Sequence, residues 1–274
     1  MGNTKKAILC PNCRKLISAD AEECIHCGMK NPGRFGLHSI LQKLFHGDVG
    51  FIQAVTYFCI GLFVVSILID PRALLRTRGL LNFLSPSGES LYIIGMTGKI
   101  PVDSGRWWTL ITAIYLHGGI LHILFNLLWI RQLGPMVEGL FGSARFILIF
   151  TISGVFGFIL SYFAGTSFTV GASGSIFGLL GALIYYGRSR GGAFGEIIYP
   201  QILTWAVVLF LFGFVFPSID NFAHLGGFIG GYMSGSFFGY QDKQPETSMV
   251  KTLAAVSIAV TILAFLINFL VLLF

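Results

Sequence analysis

Stretches without an acidic or basic residue recur along the chain, and each is strongly apolar. They are residues 51–69, 107–130, 146–187, 197–219, 221–241 and 252–274. A helix needs about 20 residues to cross a hydrocarbon core of about 30 Å. The third stretch is about twice that long, and the glycine, serine and threonine residues between positions 165 and 171 mark a break within it. The pattern therefore predicts seven transmembrane helices.

The composition agrees with this pattern and excludes several other classes of protein. Of the 274 residues, 54% are hydrophobic and 11% are charged, and the mean hydropathy is +0.78. Soluble domains carry roughly 25% charged residues, so this chain lacks the charge to cover a soluble surface. Disordered, collagen-like and disulfide-stapled secreted proteins are excluded as well. We therefore expect an all-α polytopic membrane protein.

The distribution of basic residues predicts the orientation in the membrane. Thirteen of the 18 Lys and Arg residues lie in the N-terminal tail and in the connections that would share its side, whereas five lie in the loop between the first two spans. Cytoplasmic loops are enriched in Lys and Arg, so we expect a cytoplasmic N-terminus and an extracytoplasmic C-terminus. Acidic residues are interspersed in the basic tail, so no nucleic-acid partner is expected.

The loop between the first two predicted spans, residues 70–106, is too long for a simple connection. Apolar groups alternate in it with Pro71, Pro86 and Pro101. This mixture predicts short helices that lie partly in the membrane interface.

Four of the five cysteines form two Cys-x-x-Cys pairs near the N-terminus. They are Cys10, Cys13, Cys24 and Cys27. Such pairs bring four thiolates within reach of one tetrahedral zinc ion, and a site closed by four cysteines is structural rather than catalytic. Disulfides are the alternative, which a reducing compartment disfavours. The remaining Cys59 lies inside the first span, where we expect only an apolar side chain.

The cysteine-bearing segment resembles the short zinc-ribbon modules at the ends of many bacterial proteins, which points to a bacterial inner or plasma membrane. The expected organisation is a zinc-ribbon module in residues 1–30, a linker in 31–50, a membrane core in 51–241, and a linker with a seventh transmembrane helix in 242–274. On the cytoplasmic side, the module could dock a cytoplasmic partner, link protomers or stabilise the tail.

Few polar side chains lie at membrane depth, and each is a candidate for function because burying it in lipid is expensive. The second predicted span holds His117, His122 and Asn126, while Ser173 lies near the start of the fourth span and His224 near the start of the sixth. In the predicted topology the fourth and sixth helices both start on the outer side, at similar depth. A serine beside a neutral imidazole forms a nucleophile and a general base.

The surroundings of this serine fit the same chemistry. First-turn N–H groups of a helix have no intrahelical partner and attract negative charge, so Ser173 lies at an oxyanion site, with Asn126 and His122 as side-chain donors. Glycine pairs four residues apart also allow two helices to approach closely. They are Gly174 with Gly178 and Gly227 with Gly231. Because Asp220 lies at the surface, no intramembrane carboxylate orients His224, and we predict a dyad, not a triad.

These motifs together resemble the rhomboid intramembrane serine proteases over residues 51–241. The nucleophile motif Gly-x-Ser-Gly, the histidine motif Ala-His-x-x-Gly-x-x-x-Gly and the second-helix signature with His and His-x-x-x-Asn are all present. They begin at Gly171, Ala223 and His117. A following pattern, Gly-x-x-x-Glu and Gly-Ser-x-x-Phe, ends at Glu138 and Phe146.

The resemblance implies a six-helix rhomboid core, here with a seventh helix appended. It also implies a serine endopeptidase that cleaves single-span transmembrane substrates in the lipid bilayer, near the extracytoplasmic face. Ser173 and His224 would be its catalytic residues, with Asn126 and His122 at the oxyanion. No cofactor is implied for catalysis, so the zinc of the N-terminal module would be purely structural.

The chain departs from the family pattern in two places. The family's outer loop has Trp-Arg shortly before the second span, whereas this chain has Arg106-Trp107-Trp108, so the anchoring of this loop does not carry over. Some members have tyrosine four residues after the nucleophile, where this chain has Phe177. Phe177 shares a helix face with Ser173 and is expected to pack against His224.

Other residues are expected to support the site. Gly171 and Gly174 flank the nucleophile within its motif. His117 is expected to make a structural hydrogen bond to the outer loop, and Glu138 to cap or tether the loop between the second and third spans.

Two other functions are weighed against the protease. An inactive relative that binds membrane clients usually lacks the serine or the histidine, and both are present here. A transporter or haem protein could use His117, His122 and His224, but it would leave the Gly-x-Ser-Gly motif unexplained. Labelling of Ser173 by a fluorophosphonate separates the first alternative from the protease, and bound haem or substrate flux would support the second.

Overall fold

The chain divides into two compact units, Met1–Gly50 and Phe51–Phe274. The computed structural model describes residues 7–10, 15–18, 20–26, 50–76, 84–216 and 218–273. A short hairpin lies in the first unit, and the second unit is built from helices.

The described part of the first unit is an antiparallel hairpin that ends at a cysteine. Strands β1 (Ala7–Leu9) and β2 (Leu16–Ser18) pair with Ile8 opposite Ile17. The N–H of Cys10 donates to the carbonyl of Lys15 (2.8 Å), and Cys10 and Cys24 are buried in one small cluster with Ile17. Within the described residues, no group of three or more His, Cys, Asp or Glu could hold a metal ion.

Part of the predicted zinc site lies outside the residues that the structure describes. Cys13 and Cys27, one cysteine from each pair, lie outside the described residues. The four-cysteine site therefore stays a prediction.

The second unit begins with the long helix α1 (Phe51–Ile69). Short elements follow: α2 (Ala73–Arg76), α3 (Gly88–Ile94), α4 (Lys99–Asp103), α5 (Thr109–Thr112) and a 3₁₀ turn (Ala113–Tyr115). The remaining helices are α6 (Ile120–Phe141), α7 (Ser143–Phe163), α8 (Ser173–Arg190), α9 (Gly192–Val215), α10 (Asn221–Phe238) and α11 (Ser248–Leu273). The short helices predicted in the first long loop are present, and so is the break between α7 and α8.

Among the described residues, five helices are long and apolar enough to cross a membrane. They are α1, α6, α7, α9 and α11. Helices α8 and α10 have 18 residues each and are interrupted by glycines, so they do not reach the same apolarity, although 13 residues of α8 and nine of α10 are buried. The two helices that carry Ser173 and His224 are thus less apolar than the five helices that qualify as membrane spans.

The predicted second span, residues 107–130, is wrong in its position. The chain forms α5 and the 3₁₀ turn there, breaks at Gly118 and Gly119, and only then begins α6 at Ile120. Helix α6 continues past the exposed Arg131 to Phe141. The charge-free stretch gives both ends of the helix wrongly, because a glycine pair breaks a helix whereas an exposed arginine can continue it. His117 consequently precedes the helix and is not part of it.

Glycines bring α7, α8 and α10 into close contact. A Cβ atom on Gly227 would overlap the backbone of Gly174, and one on Gly231 would overlap the backbone of Gly178. The close approach predicted from the spacing of these glycines is therefore confirmed. On the neighbouring helix α7, a Cβ atom on Gly157 would lie 2.5 Å from the carbonyl oxygen of Ala223. The backbones of three helices thus meet directly beside the residues that precede His224.

The opposite end of the bundle is held by polar contacts. Arg145 is fully buried at the start of α7, where its guanidinium donates to the carbonyl oxygens of Phe141 and Gln244, both at 3.0 Å. The hydroxyl of Ser143 donates to the carboxylate of Glu138 (2.6 Å), so Glu138 tethers the connection between α6 and α7 as expected. These contacts fix the short turn from which α7 returns to the Ser173 end.

Candidate active site

Ser173 is the first residue of α8, directly after a tight turn. Gly171 has a φ of +130°, a conformation that glycine adopts without strain, and its N–H donates to the carbonyl of Ala113 (2.9 Å). Helix α8 has no side-chain cap, and its first backbone hydrogen bond runs from the Ile176 N–H to the Ala172 carbonyl. The N–H groups of Ser173 and Gly174 therefore remain available as donors beside the half-buried Ser173 side chain.

His224 lies in the first turn of α10, where Asp220 sets its position. The carboxylate of Asp220 caps the helix by accepting from the N–H of Ala223 (3.0 Å), and it also accepts from the hydroxyl of Ser161. His224 is buried, with 6% of its surface exposed. Its ring stacks on Phe177, with centroids 4.2 Å apart and planes 17° apart, as the sequence predicted.

The structure brings Ser173 and His224 to adjacent positions on two helices in backbone contact. Phe177 lies one turn after Ser173 on the same face of α8, and His224 rests on that face. A Cβ atom on Gly174 would lie 3.3 Å from the carbonyl of Ala223, so the residue after the serine meets the residue before the histidine. In the described part of the chain the buried Nδ1 of His224 has no hydrogen-bond partner. Both oxygens of the nearby Asp220 carboxylate already accept hydrogen bonds, one from the N–H of Ala223 and one from the hydroxyl of Ser161.

His122 reaches the serine from helix α6. A Cβ atom on Gly171 would lie 2.6 Å from Nε2 of His122, so the imidazole edge rests on the backbone just before Ser173. The N–H of Gly118 donates to Nδ1 of His122 (3.3 Å). Because Nδ1 accepts this hydrogen bond, we assign the proton of the neutral ring to Nε2, the atom that faces the serine turn.

Asn126 lies one turn further along α6 and is buried, with 4% of its surface exposed. Its Nδ2 donates to the carbonyl of His122 (2.7 Å), which uses one of the two amide hydrogens. Its Oδ1 is buried and lacks a hydrogen-bond partner among the described residues. The second amide hydrogen remains available to a further acceptor.

His117 is completely buried and packs against the ring of His122, with centroids 5.1 Å apart. The expected hydrogen bond to the outer loop is not seen, since His117 bonds to no other side chain among the described residues. The structure thus shows a ring-to-ring contact of His117 with His122, with the planes 66° apart.

Sequence reasoning missed the contribution of the Gly118 backbone. The N–H that fixes the His122 ring comes from the turn before α6, a turn that the charge-free pattern had merged into a helix. The dipeptide Gly118-Gly119 was the available signal, because paired glycines commonly mark a break.

Comparison with known proteins assigns this arrangement to a family. The chain matches the family model described as "Rhomboid domain" over residues 104–241. It is 38% identical to "Rhomboid protease GluP" of Bacillus subtilis (strain 168) over 159 residues, which are 58% of this chain and 31% of GluP. It is also 38% identical to "Putative rhomboid protease YdcA" of the same organism over 148 residues, 53% of this chain and 74% of YdcA.

A plant relative extends the comparison beyond bacteria. The chain is 36% identical to "RHOMBOID-like protein 4" of Arabidopsis thaliana over 155 residues, 56% of this chain and 39% of the plant protein. The aligned part thus spans about a third of GluP and about two fifths of this plant protein. With five helices able to cross a membrane, these matches identify an integral membrane protein. Helix α11 lies outside the residues matched by the family model.

Proposed function

Because the chain belongs to the rhomboid family, we propose that it is an intramembrane serine endopeptidase in which Ser173 and His224 form a catalytic dyad. Its substrates would be single-span transmembrane proteins, cut near the extracytoplasmic face of the bilayer. The protease core would contain six membrane-crossing helices, including α8 and α10, and α11 would be a seventh.

One observation carries this proposal: the His224 ring lies on Phe177, on the helix face that begins with Ser173. A general base must come within hydrogen-bond reach of the nucleophile, and contacts in unliganded enzymes are often loose. The glycine contacts between α8 and α10 supply the close approach that this requires. No other serine in the described residues lies at the start of a helix beside a buried histidine.

The proposed reaction follows from these positions. The Oγ of Ser173 attacks the substrate carbonyl carbon while His224 accepts the hydroxyl proton. When the tetrahedral intermediate collapses, the C–N bond breaks and His224 passes this proton to the leaving amine. A water molecule, activated by His224, then hydrolyses the acyl-enzyme and regenerates Ser173.

The oxyanion would be stabilised by donors from two helices. The first N–H groups of α8 would be donors beside the serine side chain, where the helix dipole favours negative charge. The Nε2–H of His122 and the remaining amide hydrogen of Asn126 would complete the set. Fixed donors of this kind commonly supply a large part of the rate acceleration.

Replacing Asn126 tests the oxyanion assignment. Asn126→Ala should lower kcat by about 10²–10³-fold, because it removes one preorganised donor and leaves the dyad in place. The measurement is the cleavage rate of a single-span fusion substrate in liposomes. Gln132→Ala is the matched control, since Gln132 carries an exposed amide on the same helix. Equal rates for the two variants would contradict the assignment.

The proposed orientation follows from the basic residues. The N-terminus would face the cytoplasm and the C-terminus the outside of a bacterial inner or plasma membrane. The Ser173 end of the bundle would then lie near the outer surface, where a substrate helix could unwind and present an extended segment.

We further propose that the N-terminal module binds one structural zinc ion through Cys10, Cys13, Cys24 and Cys27. The described part fits this, because Cys10 and Cys24 belong to different pairs and are buried in the same small cluster. Zinc bound by four thiolates would supply much of the folding energy of so small a module. A cytoplasmic partner could then dock on the ordered module.

Metal analysis of the purified full chain tests the zinc site. We expect about one zinc ion per chain, since four cysteine thiolates complete a tetrahedral site. Cys13→Ser should lose the zinc, whereas Cys59→Ser should keep it, because Cys59 is buried in α1 and belongs to neither pair. Zinc-free wild-type protein, or retention of zinc by Cys13→Ser, would overturn this assignment.

A fluorophosphonate probe separates the protease from an inactive, client-binding relative. An active enzyme should react covalently at Ser173, and His224→Ala should abolish the reaction by removing the general base. An unlabelled wild-type protein that still binds single-span clients would favour the client-binding function. Family membership and the position of Ser173 argue against a transporter or haem protein.

A further inference from the structure

One polar side chain is buried near the end of the otherwise apolar helix α11. Asn268 is only 3% exposed and makes three hydrogen bonds to other parts of the chain. Its Oδ1 accepts from Nη2 of Arg106 (2.8 Å) and from Nε1 of Trp108 (3.3 Å), and its Nδ2 donates to the carbonyl of Ile93 (2.8 Å). An amide buried at this depth is costly unless its hydrogen bonds are satisfied, so its position calls for a role.

These partners all belong to the connection between α1 and α6, which we call the first loop. Nη2 of Arg106 also donates to the carbonyl of Tyr92 (2.9 Å), and its guanidinium lies 4.1 Å from the centre of the Tyr92 ring. Asn268 and Arg106 therefore bind the end of α3 to the start of α5. Arg106, which stands before the tryptophans where the family pattern has Trp-Arg, is thus held by α11 through Asn268.

The first loop is in turn paired with the segment that precedes Ser173. Thr97 and Thr169 form an antiparallel bridge through two backbone hydrogen bonds, of 2.7 and 3.2 Å. The N–H of Lys99 donates to the carbonyl of Thr166 (2.7 Å), and Gly171 bonds to Ala113 just beyond the loop helices. The first loop thus fixes the backbone on which the serine turn is built.

We propose that Asn268 is a positioning residue for the serine nucleophile: α11 holds the first loop, and the first loop holds the turn that precedes Ser173. This inference rests on the proposed protease function. Asn268 touches neither dyad residue and acts through Arg106, Trp108 and the Thr97–Thr169 bridge. It gives the seventh helix a role in catalysis, although that helix lies outside the family match.

The test compares Asn268→Ala with Ser257→Ala in the full chain reconstituted in liposomes. Ser257 is a partly buried polar residue on the same helix whose side chain makes no hydrogen bond in the described part of the chain. Asn268→Ala should lower kcat by about 10- to 100-fold with little change in KM, because a misplaced nucleophile slows the chemical step and leaves substrate binding intact. Ser257→Ala should behave as wild type.

Backbone amide exchange supplies a second readout. Exchange at Thr97, Lys99, Thr169 and Gly171 should accelerate in Asn268→Ala, while exchange at the Arg145 end of the bundle should stay unchanged. Asn268→Asp keeps the acceptor for Arg106 and Trp108 and should recover most of the lost kcat. If Asn268→Ala does not fold, Trp108→Phe removes the hydrogen bond from the indole N–H to Asn268 while keeping an aromatic ring at this buried position, and it should give the same changes at a smaller size.

The possible outcomes separate this inference from the proposed function. An unchanged kcat in a folded Asn268→Ala protein would overturn the positioning role, as would a raised KM at constant kcat. If wild-type protein neither cleaves the substrate nor reacts with a fluorophosphonate, the protease function fails. In that case, the change in amide exchange at Thr97 and Thr169 between wild type and Asn268→Ala would by itself show whether Asn268 holds the serine turn.

Discussion

Ser173→Ala is expected to abolish cleavage of a single-span substrate, with kcat reduced by at least about 10⁴-fold. The substitution removes only the oxygen that attacks the carbonyl carbon. Alanine favours a helix at least as well as serine, so the start of α8 and its donor N–H groups should persist. The measurement is the initial cleavage rate of the full chain in liposomes, supported by the loss of fluorophosphonate labelling.

Ser175→Ala provides the matched control for this experiment. Ser175 lies on the same helix and is completely buried, and its Oγ has no hydrogen-bond partner among the described residues. Its removal should leave kcat close to that of the wild type, because Ser175 faces the α7 side, where its Oγ would lie 2.5 Å from a Cβ atom on Gly154. Substantial cleavage by Ser173→Ala would refute the dyad.

Gly231→Ala is expected to destabilise the bundle and to impair catalysis together. The added Cβ atom would overlap the carbonyl of Gly178, and a backbone group in a packed helix cannot move aside as a side-chain end can. Overpacking of this kind typically costs about 1–3 kcal/mol. If α8 and α10 separate by about 1 Å at the dyad, kcat should also fall by about 10²-fold. Thermal unfolding in detergent and cleavage rates measure the two effects.

Gly139→Ala is the control for this variant. Gly139 lies in α6, and nothing lies within 4 Å of a Cβ atom placed on it. The substitution should leave activity unchanged and raise the free energy of unfolding by about 0.5–1 kcal/mol, because alanine loses less backbone entropy in a helix. A Gly231→Ala protein as stable and active as Gly139→Ala would show that α8 and α10 do not depend on this contact.

Much of the helical layout could be predicted from the sequence because charge-free stretches and glycine breaks are local signals. Helix α1 has the predicted bounds, and the break between α7 and α8 lies where glycine and threonine indicated it. A scan for charge alone could not find the start of α6, which only the glycine pair marks. The residues on both sides of Gly118 and Gly119 include no Asp, Glu, Lys or Arg, so the break lies inside one charge-free stretch.

The part of the candidate site that lies within sequence motifs could be predicted. The glycine spacing predicted the contact between α8 and α10, and the position four residues after Ser173 predicted the packing of Phe177 on His224. The contact of Asn268 with Arg106 joins residues far apart in the chain, and no local pattern links them. Such long-range polar contacts follow from the packing of complete helices, which sequence spacing alone does not specify.

The weak apolarity of α8 and α10 has a consequence for biogenesis. A helix interrupted by glycine and polar groups gains little from entering lipid by itself. The chain neighbours of α8, which are α7 and α9, and those of α10, which are α9 and α11, are apolar enough to do so. Helices α8 and α10 should therefore leave the translocon paired with these neighbours. The proposed dyad of Ser173 and His224 would then assemble only after the more apolar helices have entered the membrane.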